Sequence, residues 1–314
     1  MSESINQPEL VDVLRDVLET LHFKGSIFFR SALASPWGMS LDRQKGPRFH
    51  IALTGECYVG SQSHDPVLLI PNDILILPNG DPHWISDQPG RELVSSVEAA
   101  NACELDNPLF QDGAITNKLI CGLIQFEQRL VHSIFDALPD VIHLSGLTEN
   151  ERIWSLINLI DSELEDATNK QVGVIDRLTE VLFIKLLNHY VESGEAGTGF
   201  LAALGDRRVY RALSLIHSNP EFDWTLDTLG TRSGMSRATL IRKFQDIVGV
   251  SPMAYLSDWR IMKAYDLVKH TATSLDRVAE STGFASSRTL SKAFKRHYGF
   301  TPTELRHSNR RGHS

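Results

Sequence analysis

Two arginines near the C-terminal end of the chain stand where a guanidinium could pair with the edge of a guanine base. Arg242 and Arg288 lie in segments of helical pattern, on the face opposite the apolar residues. The fork of N–H donors in a guanidinium fits guanine O6 and N7 in the major groove of DNA. These residue types in this position predict readout of a DNA sequence.

Further contacts are expected from the same outward faces. Basic side chains beside the two arginines are expected to bind phosphates, which position a protein on DNA without reading its sequence. The complete set of predicted DNA-binding residues is Ser236, Arg237, Ala238, Ile241, Arg242, Lys243, Ser287, Arg288, Ser291, Lys292, Lys295 and Arg296.

These residues belong to a segment that occurs twice, over 226–252 and 275–302. Both copies place Gly eight residues after the first Leu, then a Leu and a Phe four residues apart, then Gly and Pro. A short helix, a turn holding Gly and a second helix with an apolar i, i+4 pair form a helix-turn-helix. The repeat predicts two such motifs, over 226–248 and 275–298.

The stretch between the two motifs, residues 252–269, predicts one long helix. Pro252 suits its first turn, and a broad apolar stripe follows. About 18 residues at 1.5 Å each span roughly 27 Å. This length can set two reading helices about one turn of DNA, roughly 34 Å, apart on one face of the duplex.

Two quoted stretches carry a family resemblance: GMSRATLIRKFQDIVGVSPMAYLSDWRI and VAESTGFASSRTLSKAFKRHYGFTPTELR. Over about residues 205–307 the chain resembles the AraC/XylS family of bacterial transcription regulators. The resemblance implies an all-α domain of two helix-turn-helix motifs joined by a long helix, at 205–310. It also implies that the partners are double-stranded DNA and RNA polymerase, and that the protein is cytoplasmic.

Charge divides the chain in the same way. Residues 201–314 hold 18 Lys and Arg against 10 Asp and Glu, a net charge of +8, whereas residues 1–200 hold 13 against 29, a net charge of −16. A basic segment joined to an acidic one indicates a nucleic-acid-binding module attached to a different domain. The sequence contains no run of 18 consecutive apolar residues, so no membrane span is predicted. The N-terminus lacks the pattern of a signal peptide.

The N-terminal part alternates five short β-rich runs with turns over residues 48–86, which predicts an antiparallel barrel or sandwich. Pro78, Gly80 and His83 resemble the second conserved segment of cupin barrels, and His50 before Gly55 matches the first segment loosely. We therefore expect an α+β chain whose residues 1–145 form a cupin-like β-barrel sensor domain.

His50, His83 and Trp84 are the predicted ligand-binding residues of that barrel. Two imidazoles could hold a metal if His64 or a carboxylate joined them. The other interpretation is that the two histidines hydrogen-bond a ligand or each other. We expect no cofactor, with a metal at His50 and His83 as the open alternative.

Three cysteines, Cys57, Cys103 and Cys121, are odd in number and lack metal-ligand spacing, so we expect reduced thiols. Cys121 lies in an apolar strand, where a free cysteine behaves as a small hydrophobe. Cys103 is expected in a polar loop. The alternative is a thiol switch at Cys103 and Cys121 that senses an oxidant, which would need exposure and a lowered pKa.

Residues 146–193 predict two long helices with broad apolar stripes. We expect this segment to cover the barrel and to form a homodimer with a second copy. The small, polar stretch that follows predicts a linker over 194–204.

The pattern as a whole predicts a sequence-specific DNA-binding transcription regulator controlled by a small-molecule effector or an oxidant sensed in the N-terminal domain. A metal-dependent cupin enzyme fused to a DNA-binding module is the alternative, but the first cupin segment does not supply a complete metal set. A constitutive architectural DNA-binding protein would not need 200 acidic, globular residues. We therefore do not expect an enzyme.

Overall fold

The computed structural model describes residues 12–62, 64–105, 107–127, 138–147, 151–166, 172–194 and 197–311. They form two units. The first consists of residues 23–126 and 138–190, and the second of residues 191–311 together with residues 12–22 and Glu127. The domain boundaries predicted from the sequence stay predictions.

The first unit is built on two five-stranded sheets. The first sheet has the order β1-β9-β3-β6-β10, and the second has the order β5-β4-β7-β2-β8. The strands are β1 Phe23–Leu33, β2 Gly38–Leu41, β3 Arg48–Thr54, β4 Cys57–Gly60, β5 Val67–Leu69, β6 Ile74–Leu77, β7 His83–Ser86, β8 Val94–Ser95, β9 Asn117–Phe126 and β10 Ile142–Leu144. All five strands predicted over residues 48–86 are present, and all but one pairing in the two sheets, β2 with β8, are antiparallel.

Both sheets contribute to one apolar core. Leu75 and Leu119 from the first sheet belong to the same buried cluster as Val59 and Ile85 from the second. Because side chains alternate between the two faces of a strand, every second residue of these strands enters this core. The core between the sheets holds the candidate site described below.

Three helices complete the first unit: α2 Ser96–Glu104, α3 Glu151–Glu165 and α4 Val172–Glu192. The two long helices predicted over 146–193 correspond to α3 and α4. They pack on β1, where Arg30 Nε donates to Asp161 of α3 at 2.6 Å and the Phe23 ring lies 6.0 Å from the Phe183 ring of α4. The expectation of a polar loop around Cys103 is wrong, because the stretch SVEAANACE is rich in helix formers and folds as α2.

The second unit contains α1 Val13–Leu21, α5 Phe200–Gly205, α6 Arg207–Ser218, α7 Leu226–Ser233, α8 Arg237–Val248, α9 Pro252–His270, α10 Leu275–Ser281, α11 Ser287–Tyr298 and α12 Pro302–Arg311. The predicted motifs are α7 with α8 and α10 with α11, and the predicted linking helix is α9. Residues 200–204 of the predicted linker lie in the helix α5, in which Phe200 and Leu201 are buried.

Glycine ends the supporting helix of each motif in the left-handed region. Gly234 has φ 77° and Gly283 has φ 73°, and only glycine adopts such angles without a steric penalty. This requirement explains why the Gly recurs at the same place in both copies. The turn it makes directs the chain from each supporting helix into the reading helix.

The N-terminal helix α1 packs on α6 and α9 of the second unit. Asp16 of α1 accepts from His217 Nδ1 at 2.8 Å and from Lys263 Nζ at 3.1 Å. On the other side of its imidazole, His217 Nε2 lies 2.8 Å from the Tyr255 hydroxyl. A helix from one end of the chain therefore completes the core built by helices near the other end.

Candidate nucleic-acid interface and ligand cavity

The first reading helix, α8, begins at a capped turn and turns one face outward. Ser236 Oγ accepts from the Thr239 backbone N–H at 3.2 Å, which satisfies a free donor at the helix start. Leu240 and Phe244 are fully buried. The opposite face is exposed, and it carries Arg237, Ala238, Ile241 and Arg242.

The three basic side chains of α8 differ in their present partners. Arg242 makes no hydrogen bond or ion pair with the described part of the chain. Arg237 Nη1 lies 3.2 Å from Asp227 at the exposed surface, and Lys243 is half-buried in an ion pair with Asp206. Arg242 is thus free to bind a base edge, whereas a phosphate would compete with a carboxylate for Arg237 and for Lys243.

The second reading helix, α11, repeats this construction. Ser286 caps it by accepting from the Thr289 N–H at 3.2 Å, and Leu290 and Phe294 are buried beneath it. Arg288 is exposed and unpaired within the described residues. Other predicted contacts on this helix are exposed or half-buried, namely Ser287, Ser291, Lys292, Lys295 and Arg296.

Within the first unit, two of the predicted ligand-binding residues form a buried relay with Cys121. His50 on β3 is completely buried, and its Nε2 lies 2.8 Å from His83 Nε2 on β7. Its other ring nitrogen, Nδ1, lies 2.9 Å from Cys121 Sγ on the neighbouring strand β9. His83 Nδ1 lies 2.8 Å from the Asp81 carbonyl oxygen.

The direction of every hydrogen bond in this relay follows from the bond between His83 Nδ1 and the Asp81 carbonyl oxygen. A carbonyl only accepts, so His83 Nδ1 carries the proton, and His83 Nε2 of the neutral ring accepts from His50 Nε2. His50 Nδ1 then accepts from the Cys121 thiol. Burial lowers the pKa of His50 well below its ordinary value and that of His83 to about 4, and it raises the pKa of the Cys121 thiol. The three groups are therefore neutral at pH 7.

The residues around His50 and His83 do not fit a metal ion. The Nε2 atoms that would bind it are hydrogen-bonded to each other, and no third ligand among the described residues faces them. A zinc site needs three or four ligands about one centre. His64, the suggested third ligand, has its Nδ1 2.9 Å from the Asp65 carbonyl oxygen and a buried Nε2 without a hydrogen-bond partner in the described chain. Its ring nitrogens do not, however, lie within 4.8 Å of both His50 and His83 ligand atoms.

Trp84 lies on the opposite face of β7 from His83, because neighbouring residues of a strand point to opposite sides of a sheet. Its indole covers Gly60, where an added Cβ would come within 2.3 Å of the ring. The structure thus brings His50 and His83 together but not Trp84, and none of the three lines the neighbouring cavity of this unit.

That cavity has a volume of about 250 Å³ and lies beside the relay, with Cys121 in its wall. Most lining residues are apolar, including Phe29, Met39 and Leu41. Arg48, the residue at the start of β3, also lines it. Arg48 was missed by sequence reasoning, although a charged residue directly before the apolar run FHIAL was a usable signal.

The cysteines give little support to a thiol switch. Cys121 is 2% exposed and its raised pKa keeps it protonated, whereas reactivity toward oxidants requires the thiolate. Burial also raises the pKa of Cys57 to about 12. The side chain of Cys103 lies outside the described residues.

The described residues contain one cluster with metal-ligand character, in the second unit. Ligand atoms of His22, Asp266 and His270 lie within 4.8 Å of one another. His22 Nε2 is 2.6 Å from the Asp266 carboxylate, and His270 Nε2 is 3.0 Å from Glu127. The first pair and the contact between the His22 and His270 rings, whose centroids are 4.0 Å apart, hold the end of α1 to the end of α9. The second pair holds the end of α9 to Glu127, the residue after β9.

Comparison with known proteins follows the same division of the chain. A family model described as a cupin matches residues 12–192, and one described as a helix-turn-helix domain matches residues 229–308. No described helix is long and apolar enough to span a membrane.

Several full-length bacterial regulators are similar to the chain. A putative AraC-like transcription regulator of Streptomyces antibioticus is 28% identical over 305 residues, covering 94% of this chain and 98% of its own. The transcriptional regulator MtrA of Neisseria gonorrhoeae is 26% identical over 304 residues, with 94% and 98% covered. The transcriptional regulator AlkR of Acinetobacter baylyi is 24% identical over 312 residues, with 94% and 99% covered.

Proposed function

Because the chain belongs to the AraC family of transcriptional regulators with an N-terminal cupin domain, we propose that a small molecule bound in the N-terminal unit controls where and how tightly it binds DNA. The protein is a DNA-binding transcription regulator and not an enzyme. The metal-dependent cupin enzyme considered from the sequence is set aside.

The observation that carries the DNA-binding side of this proposal is the repeated presentation of a free arginine. Arg242 on α8 and Arg288 on α11 stand at equivalent places in two copies of one motif, exposed and without partners in the described chain. The helix α9 of 19 residues joins the motifs. One protomer would then read two successive major grooves, with Lys295 and Arg296 on phosphates.

The sensing side rests on the cavity beside Cys121. The two sheets share one core, which supports a cupin-like barrel in which this cavity is the ligand site. A concave, mostly apolar site with a few polar groups is the usual form of a small-molecule site. We place the effector here rather than at Trp84, and we give the relay of His50 and His83 a supporting role in the wall of the cavity.

We further propose that α3 and α4 form a homodimer. Both helices pack on β1 with one side, and both still expose large apolar residues: Leu159 is 45% exposed on α3, and Val174 and Val181 are 37% and 44% exposed on α4. A second copy would cover this surface. Like other bacterial transcription regulators, the dimer would act in the cytoplasm. Its partner there, besides DNA, would be RNA polymerase.

The test is footprinting of the full chain on promoter-region DNA, with and without candidate small molecules and over a range of salt. Several Lys and Arg contacts to phosphates imply a steep fall of affinity with salt. We expect protection of two neighbouring major grooves per protomer, changed by the effector. Protection of a single groove, or binding insensitive to salt, would contradict the proposal.

A further inference from the structure

Arg48 is a cation held almost entirely out of water inside a sheet. The residue is 5% exposed, and its backbone is paired on both sides, with Leu77 of β6 and Leu123 of β9. Its Nε and Nη1 atoms are buried and have no hydrogen-bond partner within the described chain. Burying N–H donors without an acceptor is costly, and more so when the group is charged.

The surroundings of Arg48 hold the side chain in place but supply no acceptor for these two atoms. The guanidinium carbon lies 5.4 Å from the centroid of the Phe28 ring, a contact that attracts the cation without accepting a hydrogen bond. Burial lowers the pKa of Arg48, while Asp42 and Cys121 act in the opposite direction. An arginine nevertheless stays protonated at neutral pH, so the charge must be balanced by something else.

Arg48 lines the cavity of about 250 Å³ described above. The apolar wall includes Phe28, Met39, Ile85 and Leu123, and α2 adds Val97 and Ala100. The polar residues of the lining other than Arg48 are the neutral Gln44, Ser96 and Asn101, and none of the described residues in the lining is an Asp or a Glu. No carboxylate on the cavity wall therefore competes with an incoming anion for the guanidinium. The cavity therefore joins one cation with unused donors to an apolar chamber.

We propose that this cavity binds a small organic carboxylate with an apolar body, and that Arg48 holds its carboxylate. Two oxygens of one carboxylate can accept from two N–H groups of a guanidinium at once. An apolar cavity of about 150 Å³ holds a benzene molecule, so a volume of 250 Å³ has room for a short hydrocarbon as well as the carboxylate. A neutral hydrocarbon would leave the Arg48 donors unpaired, and a bare inorganic anion would leave the apolar wall uncovered.

This assignment names the chemical class of the effector and rests on the proposed function only for its regulatory meaning. Binding itself is measured on the full chain without DNA, by isothermal titration calorimetry. Sodium octanoate is the probe, 1-octanol has the same body without the charge, and sodium acetate has the charge without the body. We expect octanoate to bind at least tenfold more tightly than either of the other two.

Two matched variants identify the residue responsible. Arg48→Met should weaken octanoate binding at least tenfold, whereas Arg43→Met should leave it unchanged, because the Arg43 side chain is 67% exposed and pairs with Asp81. Replacement of a buried unpaired charge by an apolar side chain should also leave the protein at least as stable as before. Ala100→Leu fills the cavity while keeping Arg48, and it should abolish binding.

Equal affinity for octanoate and 1-octanol, or octanoate binding that survives either Arg48→Met or Ala100→Leu, would overturn the assignment. If the Arg48 variant does not fold, the Ala100 variant decides the question alone. Octanoate binding with no effect on DNA affinity would keep the carboxylate site and contradict the proposed function instead.

Discussion

Arg242 and Arg288 should carry the discrimination between bases. Changing either to Ala should weaken the free energy of binding to the natural operator by about 1–3 kcal/mol and relax the base preference at one position of that operator. Fluorescence anisotropy with the operator and with a scrambled duplex measures both effects. Lys295→Ala is the control, since removing a phosphate-binding side chain from the same motif should weaken binding to both duplexes alike. If the arginine variants weaken binding to both duplexes alike, as Lys295→Ala does, Arg242 and Arg288 do not read bases.

The buried His83 should make the first unit sensitive to acid. Burial lowers its pKa to about 4 from an ordinary 6.5, so between these values the unfolded chain binds a proton that the folded chain does not. Stability therefore falls as the pH decreases from 6.5 to 4, by up to roughly 3 kcal/mol for this group. His50, whose pKa is also lowered, adds to the loss.

Urea unfolding at pH 7.5 and pH 4.5 measures this dependence. His83→Gln should reduce the difference between the two pH values, because the titrating group is gone while a polar side chain remains. His189→Gln, at a half-buried histidine of α4, serves as the control. An unchanged pH difference in the His83 variant would mean that other groups cause the acid sensitivity.

The turn glycines of the two motifs differ in their surroundings, although they share a conformation. A residue other than glycine in the left-handed region costs roughly 1–2 kcal/mol. A Cβ at Gly234 would meet nothing within 4 Å, whereas one at Gly283 would lie 2.7 Å from the guanidinium of Arg260. That guanidinium donates to the carbonyls of Pro220 and Phe222, at 2.7 and 2.8 Å.

Gly283→Ala should therefore destabilise the second unit more than Gly234→Ala does, since it strains the turn and also displaces Arg260. Thermal unfolding followed by circular dichroism compares the two variants directly. Equal losses would show that Arg260 moves aside without cost.

The docking of α1 depends on Asp16. Its carboxylate is bound by His217 and Lys263, and these hydrogen bonds lower its pKa against the opposing effect of burial. Asp16→Asn removes the charge that balances Lys263, and we expect a loss of about 1–3 kcal/mol in the stability of the second unit. Glu19→Gln is the matched control, because among the described residues the Glu19 carboxylate pairs only with Arg15, at the exposed surface of the same helix.

Urea unfolding of the full chain, monitored with a probe in α6 or α9, measures the loss of stability. An Asp16 variant no less stable than the Glu19 variant would mean that α1 contributes through its apolar face alone. Because Asp16 has a lowered pKa, its contribution should also disappear as the pH falls below the ordinary carboxylate range.

Local chemistry made the helices of the DNA-binding part predictable. Ser236, Gly234 and Pro252 mark a cap, a turn and a helix start by rules that involve only neighbouring residues, and the structure has all three. The five strands over residues 48–86 followed from runs of β-branched and apolar residues. These features need no knowledge of distant parts of the chain.

The contact between His50 and His83 was among the interpretations of the cupin-like pattern, but other features that depend on distant contacts were not predictable. Asp16 meets His217 and Lys263, which are more than 200 residues away, so the sequence placed α1 with the sensor domain. Arg48 faces a cavity made by strands from separate parts of the chain, and Trp84 was assigned to a pocket from which strand alternation turns it away. In each case the missing information was which side of an element faces which neighbour.

The opposite charges of the two parts of the chain, −16 for residues 1–200 and +8 for residues 201–314, suit a regulator whose sensor must stay off DNA. Dimerisation through α3 and α4 would present four reading helices to one operator. The half-sites would then follow the two-fold symmetry of the dimer.

The dimer is tested by placing a charge in its apolar surface. Leu159→Glu combined with Val181→Glu should give monomers in sedimentation velocity experiments at micromolar concentration, because two carboxylates would be buried without partners at the interface. Leu105→Glu is the control, since Leu105 is 79% exposed and lies outside α3 and α4. The double variant should also bind a two-half-site operator at least tenfold more weakly while keeping its affinity for one half-site. Dimerisation through these helices would be contradicted if the double variant had the same sedimentation coefficient as the wild-type protein. It would also be contradicted if the wild-type protein were monomeric at this concentration.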